Sequence, residues 1–311
     1  MLTEKQIQFE SAFLFSFDLL YAKSNNMLNL LFAILTSSGI FLCFKYLEKF
    51  NIDILYAIII NYITASFCGF VLSTKFHFGK IIQQDWFILS ILIGILFIGV
   101  FFIIGRSTQK AGISVTTLAS KMSFVLPMIF SILYYQESIS AKKSIGIGIA
   151  VCSVILAIYK DQKDKINRKY IWLPILLFFG AGTVDSMVKY AQEEHLSKGG
   201  TEQFSTLLFA IAAIAGLVIL MIRKEDLKRL LQPKILIGGI VLGLTNFGSL
   251  YFLIASLNTS RLDSSIVFSI VNIGIVTLSV FFSLSIFHEK LNKLNLLGIL
   301  MAFIAIFILT N

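Results

Sequence analysis

The sequence predicts an all-α integral membrane protein with ten transmembrane helices, built as two inverted five-helix repeats. Three observations predict it. The composition is 57% hydrophobic and only 14% charged, against about 25% charged residues in soluble domains, and the mean hydropathy is +0.87. The 311 residues divide into apolar runs each about 20 residues long, the length a helix needs to cross a hydrocarbon core roughly 30 Å thick. They are not the shorter alternating strands of an outer-membrane barrel. Finally, a stretch near the end of the first half matches one near the end of the second.

Residues 1–26 stand apart as an N-terminal extension. The stretch FESAFLFSFDLLYA contains Glu10 and Asp18, is too short and too charged to span, and lacks the basic start and small-residue cleavage site of a signal peptide. It reads either as an interfacial helix or as a segment upstream of the true start that is not translated. The first repeat, 27–160, carries spans near 28–46, 54–73, 86–105, 113–135 and 143–159. Charges and turn residues bound each run. A linker at 161–170, within the charged run KDQKDKINRK, leads to the second repeat, 171–311. Its spans lie near 171–190, 204–222, 235–257, 263–287 and 294–310.

The repeat rests on a gapless match. ESISAKKSIGIGIA (137–150) aligns on EKLNKLNLLGILMA (289–302), with Glu, Gly, Ile and Ala identical. Both copies join the fourth span of a half to its fifth. The first spans also end alike, in Lys45-Tyr46 and Lys189-Tyr190. Five crossings per copy force the second copy to enter the membrane from the opposite side. Inverted repeats of this kind mark secondary transporters, whose substrate sites lie near the midplane.

With Glu137 and Glu289 each ending a fourth span ahead of a fifth containing Gly146 or Gly298, the chain resembles the EamA branch of the drug/metabolite transporter superfamily from Met27 to Asn311. The resemblance implies a central cavity lined mainly by the first, third, fourth, sixth, eighth and ninth helices. It places the second outside the lining, and the fifth and tenth at the periphery or at a homodimer contact. For cargo it is uninformative, because the Glu and Gly signature is structural.

Candidate site residues are the polar groups that a bilayer makes expensive. Lys121 lies about eight residues into the fourth span, roughly 12 Å deep at 1.5 Å per residue. A charge there costs about 2.5 to 3.5 kcal/mol on insertion scales. Thr117 and Ser120 share its face by helical spacing. The alternative is a structural lysine, paired in the bundle or snorkelling to the surface. In the sixth span Gly182, Asp185, Ser186 and Lys189 form one face, and Asp185 with Lys189 has the spacing of an i, i+4 ion pair. Asp185 is read as a proton or cation site or as the counter-ion of Lys121.

The ninth span carries a polar stripe of Ser265, Ser269, Asn272, Ser279 and Ser283, and the eighth offers Thr245, Asn246 and Ser249. Such groups can equally be interhelical glue worth about 0.6 kcal/mol each. Asn246 and Asn272 are assigned to the cavity, with Ser269 as a further substrate-binding candidate beside Thr117 and Ser120, while Asn61 with Thr64 reads as packing. Pro127 lacks an N–H and loosens the helix after Lys121, a candidate gating element. Gly239 with Gly243, and Gly146 with Ala150, have the small-xxx-small spacing of close helix contacts.

Several function classes are excluded. The net charge of +9 sits mostly in the connections between spans, as membrane topology requires, and does not point to nucleic acid. Cys43, Cys68 and Cys152 fall within apolar spans, so no disulfide framework or paired metal spacing exists. His77, His195 and His288 lie in separate loops, and no HExxH, Walker or GxGxxG pattern occurs. The chain is therefore expected to be no enzyme, to hold no cofactor or metal, and to draw on a gradient of substrate or protons.

Orientation divides the indications. Lys and Arg are more numerous in the odd-numbered connections, which by the positive-inside rule puts both termini outside. The family resemblance implies both in the cytoplasm. The basic loop RKEDLKRLLQPK (223–234) reads as an amphipathic surface helix on lipid headgroups, and the family orientation is preferred.

The leading expectation is a secondary transporter in a bacterial cytoplasmic (inner) membrane, moving a small polar metabolite such as an amino acid or other carboxylate. Lys121 would attract the anionic group, Asn246 and Asn272 would supply hydrogen bonds, and Asp185 would balance charge or carry a proton. A second reading is export or flipping of a lipid-linked or amphipathic compound. A third, of another class, is a membrane sensor or assembly subunit that transports nothing.

Overall fold

The computed structural model describes residues 4–72, 81–137, 140–159, 170–196, 201–259 and 264–310. His77, Lys160, residues 161–169 of the linker, and the side chains of Glu10, Asp18 and Ser265 lie outside the described residues. Eleven α-helices are described and no strand: α1 (Glu4–Lys49), α2 (Ile54–Leu72), α3 (Phe87–Lys110), α4 (Ile113–Met122), α5 (Val125–Tyr134), α6 (Ala141–Ile158), α7 (Trp172–Glu194), α8 (Thr201–Ile222), α9 (Pro233–Thr259), α10 (Ser264–Ser285) and α11 (Lys293–Thr310). Since α4 and α5 together form one span, ten spans result. Among the described residues, eight are long and apolar enough to cross a membrane. The other two are α7, interrupted by Asp185 and Lys189, and α11, whose described apolar stretch Lys293–Leu309 is shorter.

Local chemistry sets the element boundaries. α1 runs unbroken from Glu4 through its membrane-crossing part, Met27–Lys49. It ends at Asn51, which takes a left-handed conformation (φ 52°) that asparagine tolerates better than most residues. The Asp53 carboxylate then accepts from the Leu55 N–H at 2.9 Å and starts α2. The break between α4 and α5 follows from Pro127. Proline cannot donate to the Ser123 carbonyl four residues back, and its ring crowds that carbonyl. The Ser123 carbonyl instead accepts from Leu126 at 2.9 Å, so the kink falls two residues after Lys121.

The spans pack by opposing small residues to neighbouring backbones. A Cβ at Gly298 would lie 2.7 Å from the Ser153 carbonyl oxygen and from the Ala157 nitrogen, so α11 and α6 approach at backbone distance. The Asn295 amide reinforces this contact by donating to the carbonyls of Ala157 and Tyr159, each at 2.8 Å, where α6 has run out of intrahelical donors. Gly146 faces Leu309 across the same contact. The small-residue faces of the fifth and tenth spans are thus used against each other within one chain.

The second span is, with the fourth, the most enclosed of the eight. Tyr56, Ile58, Ile59 and Tyr62 are fully buried among α1, α3, α8 and α9. The basic loop after α8 forms a short 3-10 helix, Leu227–Leu231, capped by Asp226. It is held partly by Arg229, which lies over the Tyr56 ring at 4.5 Å and 3.9 Å from Asp53.

Candidate functional site

A cavity of about 470 Å³ lies between the two halves. Its walls are largely apolar, with aromatic rings from five helices: Phe41 from α1, Tyr62 from α2, Phe97 and Phe101 from α3, Phe204 and Phe209 from α8, and Phe268 from α10. Against them stand two opposite charges, Lys121 from α4 and Asp185 from α7, with Ser37, Ser120, Gln192, Ser205, Asn246 and Ser249 as further polar groups. Lys121 and Asp185 interact electrostatically, and the Ser123 hydroxyl lies beside the Asp185 carboxylate. Among the described residues no ion pair within 4.0 Å joins the two.

Of the residues singled out in the sequence, Lys121, Ser120, Asp185 and Asn246 come together in this lining. Thr117 lies one turn behind Lys121, fully buried with no partner for its hydroxyl. Ser269 and Asn272 are outside the lining, and α10 contributes Phe268 instead. Pro127 sits in the first turn of α5, beyond the cavity.

Two expectations need correction. Lys189 does not pair with Asp185 one turn back. Its ammonium reaches the Ser131 hydroxyl and Glu137 (3.7 Å), because these lie across the α5 contact while Asp185 points into the cavity. The second helix is not excluded from the lining, since Tyr62 contributes to it. Asn61 does pack as expected. With its amide turned so that nitrogen faces the Leu242 carbonyl at 3.2 Å, it also meets the Asn246 amide at 3.2 Å.

A second pocket of about 320 Å³ adjoins the first between α2, α8 and α9, lined by Gly69, Leu72, Phe247 and Tyr251 among others. It shares Ser205, Phe209, Leu250 and Ile254 with the cavity. Leu72 and Tyr251, at the edge of this pocket, are exposed.

Sequence reasoning missed one functional-looking feature. Lys45, Glu289 and Glu137 were visible only as markers of the repeat, and Lys189 only as a repeat marker and a partner for Asp185, yet the four form two ion pairs, 3.3 and 3.7 Å long. Their matched positions in the two halves were the available signal.

The EamA-like transporter family profile matches residues 168–311, the segment from α7 to α11. An uncharacterized protein of Haemophilus influenzae is 31% identical over 292 residues, covering 91% of this chain and 97% of that protein. The chain belongs to the EamA-like transporter family. The family carries membrane transporters of the drug/metabolite type.

Proposed function

We propose that this EamA-like transporter is a secondary transporter of a small polar metabolite, an amino acid or another carboxylate, working by alternating access between inverted five-helix repeats. The observation that carries the reading is the placing of Lys121 and Asp185, one from each half, in one cavity without a direct bridge. Lys121 attracts the carboxylate of the substrate. Asp185 takes its ammonium group or, for a substrate without one, a proton. Ser120, Asn246 and Ser249 can supply neutral hydrogen bonds, and the phenylalanine walls accept an apolar body. The proposal includes a bacterial cytoplasmic membrane with both termini in the cytoplasm.

The test is a thermal-shift screen of the purified protein against amino acids, organic acids, nucleotides and amphipathic drugs. The reading predicts stabilisation by an amino acid or carboxylate that is lost in Lys121→Ala. Stabilisation of equal size in the variant would remove Lys121 from the site.

A second reading, export or flipping of an amphipathic compound, is favoured by the adjoining, mostly apolar pocket between α2, α8 and α9. There a polar head at Lys121 and an apolar tail toward the lipid would both be accommodated. Stabilisation by amphipathic compounds alone would select it.

A further inference from the structure

The two ion pairs missed in the sequence are copies of one unit. The alignment that sets Glu137 on Glu289 also sets Ser131 on Ser283, six residues upstream in each case. Lys45 and Lys189 each close the first span of a half. In both units the lysine of one half therefore reaches the glutamate of the other, with the matched serine at the contact: Lys189 donates to Ser131, and Ser283 donates to Glu289 at 2.6 Å. Because successive spans alternate in direction, α1 and α10 end on one face of the membrane while α5 and α7 end on the face that carries Met27. The two units sit at opposite ends of the cavity.

They are not in the same state. Lys45 and Glu289 have side chains only 17% and 16% exposed. Glu289 also accepts from the Ile113 N–H, at 3.1 and 3.0 Å to its two oxygens. Lys45 donates to the carbonyls of Gln109 (3.3 Å) and Thr108 (3.5 Å). A Cβ on Gly112, whose φ is +109°, would sit 2.8 Å from Glu289 Oε2, so the carboxylate seats because that residue is glycine. The other pair is looser, with side chains 34% and 43% exposed; each pair also has a further ionic partner at 3.6 Å, Glu48 on Lys45 and Lys143 on Glu137. The cavity follows this difference. On the tight side its lining stops at Ile104, one turn before Thr108, whereas on the loose side it extends to the exposed Gln192 and to Phe204 at the start of α8.

We propose that these two Lys–Ser–Glu units are the gates of the transporter, and that the Lys45–Ser283–Glu289 unit is the one latched shut in this conformation. Each latch spans the boundary between halves, so one can tighten as the other releases. The Ile113 contact ties the closed latch to the start of α4, the helix that presents Lys121. Release of Glu289 then frees the same helix that holds the substrate's charge. This inference rests on the alternating-access reading.

The test uses Ile104→Cys as reporter in the full chain with Cys43, Cys68 and Cys152 replaced by serine, in membrane vesicles of both orientations. A membrane-impermeant maleimide is added to one face at a time. The parent is expected to react from the face carrying Met27. Lys45→Met and Glu289→Gln are expected to raise the reaction rate from the opposite face about tenfold, as a population shift toward opening there requires. The conservative Lys45→Arg, which keeps the cation, should hold that rate near the parent value, and Glu137→Gln should leave it at or below the parent value. An unchanged rate in both Lys45→Met and Glu289→Gln overturns the proposal. So does an increase that Lys45→Arg or Glu137→Gln equally produces, since that is general loosening. Labelling needs no substrate, so intact gating without any solute flux would count against the transport reading and not against the latches.

Discussion

At Gly112 the backbone angle of +109° and the Glu289 carboxylate 2.8 Å from where a Cβ would stand combine to exclude any side chain. Gly112→Ala must strain the backbone or unseat the carboxylate. A loss of about 1 to 3 kcal/mol is expected, read as a lowered Tm in detergent. The contrast is Gly99→Ala, where no atom lies within 4 Å of the new Cβ and a helical alanine is favoured by roughly 0.5 to 1 kcal/mol. Lys121 and Asp185 give a second residue-scale prediction. Each single removal leaves the other charge in the cavity without its partner, while removing both leaves none. The double variant Lys121→Met with Asp185→Asn is therefore expected to melt above the Asp185→Asn single variant, and additive Tm changes would deny the coupling.

Among the elements, the broken fourth span is the most informative. Pro127 forces the Ser123 carbonyl into a tighter bond with Leu126 and separates α4, which carries Lys121, from α5, which carries Ser131. Pro127→Ala restores an N–H four residues after that carbonyl, and a continuous helix is expected. The measured outcome should be a higher Tm with slower transport, because α4 loses its freedom to move independently of α5. Faster transport would contradict a gating role for the kink. The α6–α11 contact behaves differently. There Gly298→Leu meets the α6 backbone at Ser153 and Ala157 and is expected to lower the Tm, whereas Gly148→Ala, with nothing within 4 Å of the new Cβ, is expected to hold or raise it.

For the whole molecule, what could be seen in the sequence follows from what a bilayer penalises. The apolar runs, the broken span at Pro127, and the company of Lys121, Asp185 and Asn246 were all legible, because charges and amides in hydrocarbon must turn inward. Helix rotation was not. A helix such as α2 is apolar on nearly every face, so its sequence carries no signal for how it is turned, and its burial and the place of Tyr62 in the cavity had to come from packing. The same ambiguity put Asn272 and Ser269 in the expected lining, while α10 turns Phe268 there. It also paired Lys189 with Asp185 along one helix although its partners, Ser131 and Glu137, lie across a contact no spacing rule describes.

Solute counterflow in proteoliposomes tests the central claim most directly, using the amino acid or carboxylate that stabilises the protein. The account predicts saturable uptake by the parent that falls at least about tenfold in kcat/KM in Lys121→Ala, a loss of roughly 1.4 kcal/mol or more of transition-state stabilisation. Uptake in Lys121→Ala indistinguishable from the parent's would contradict it.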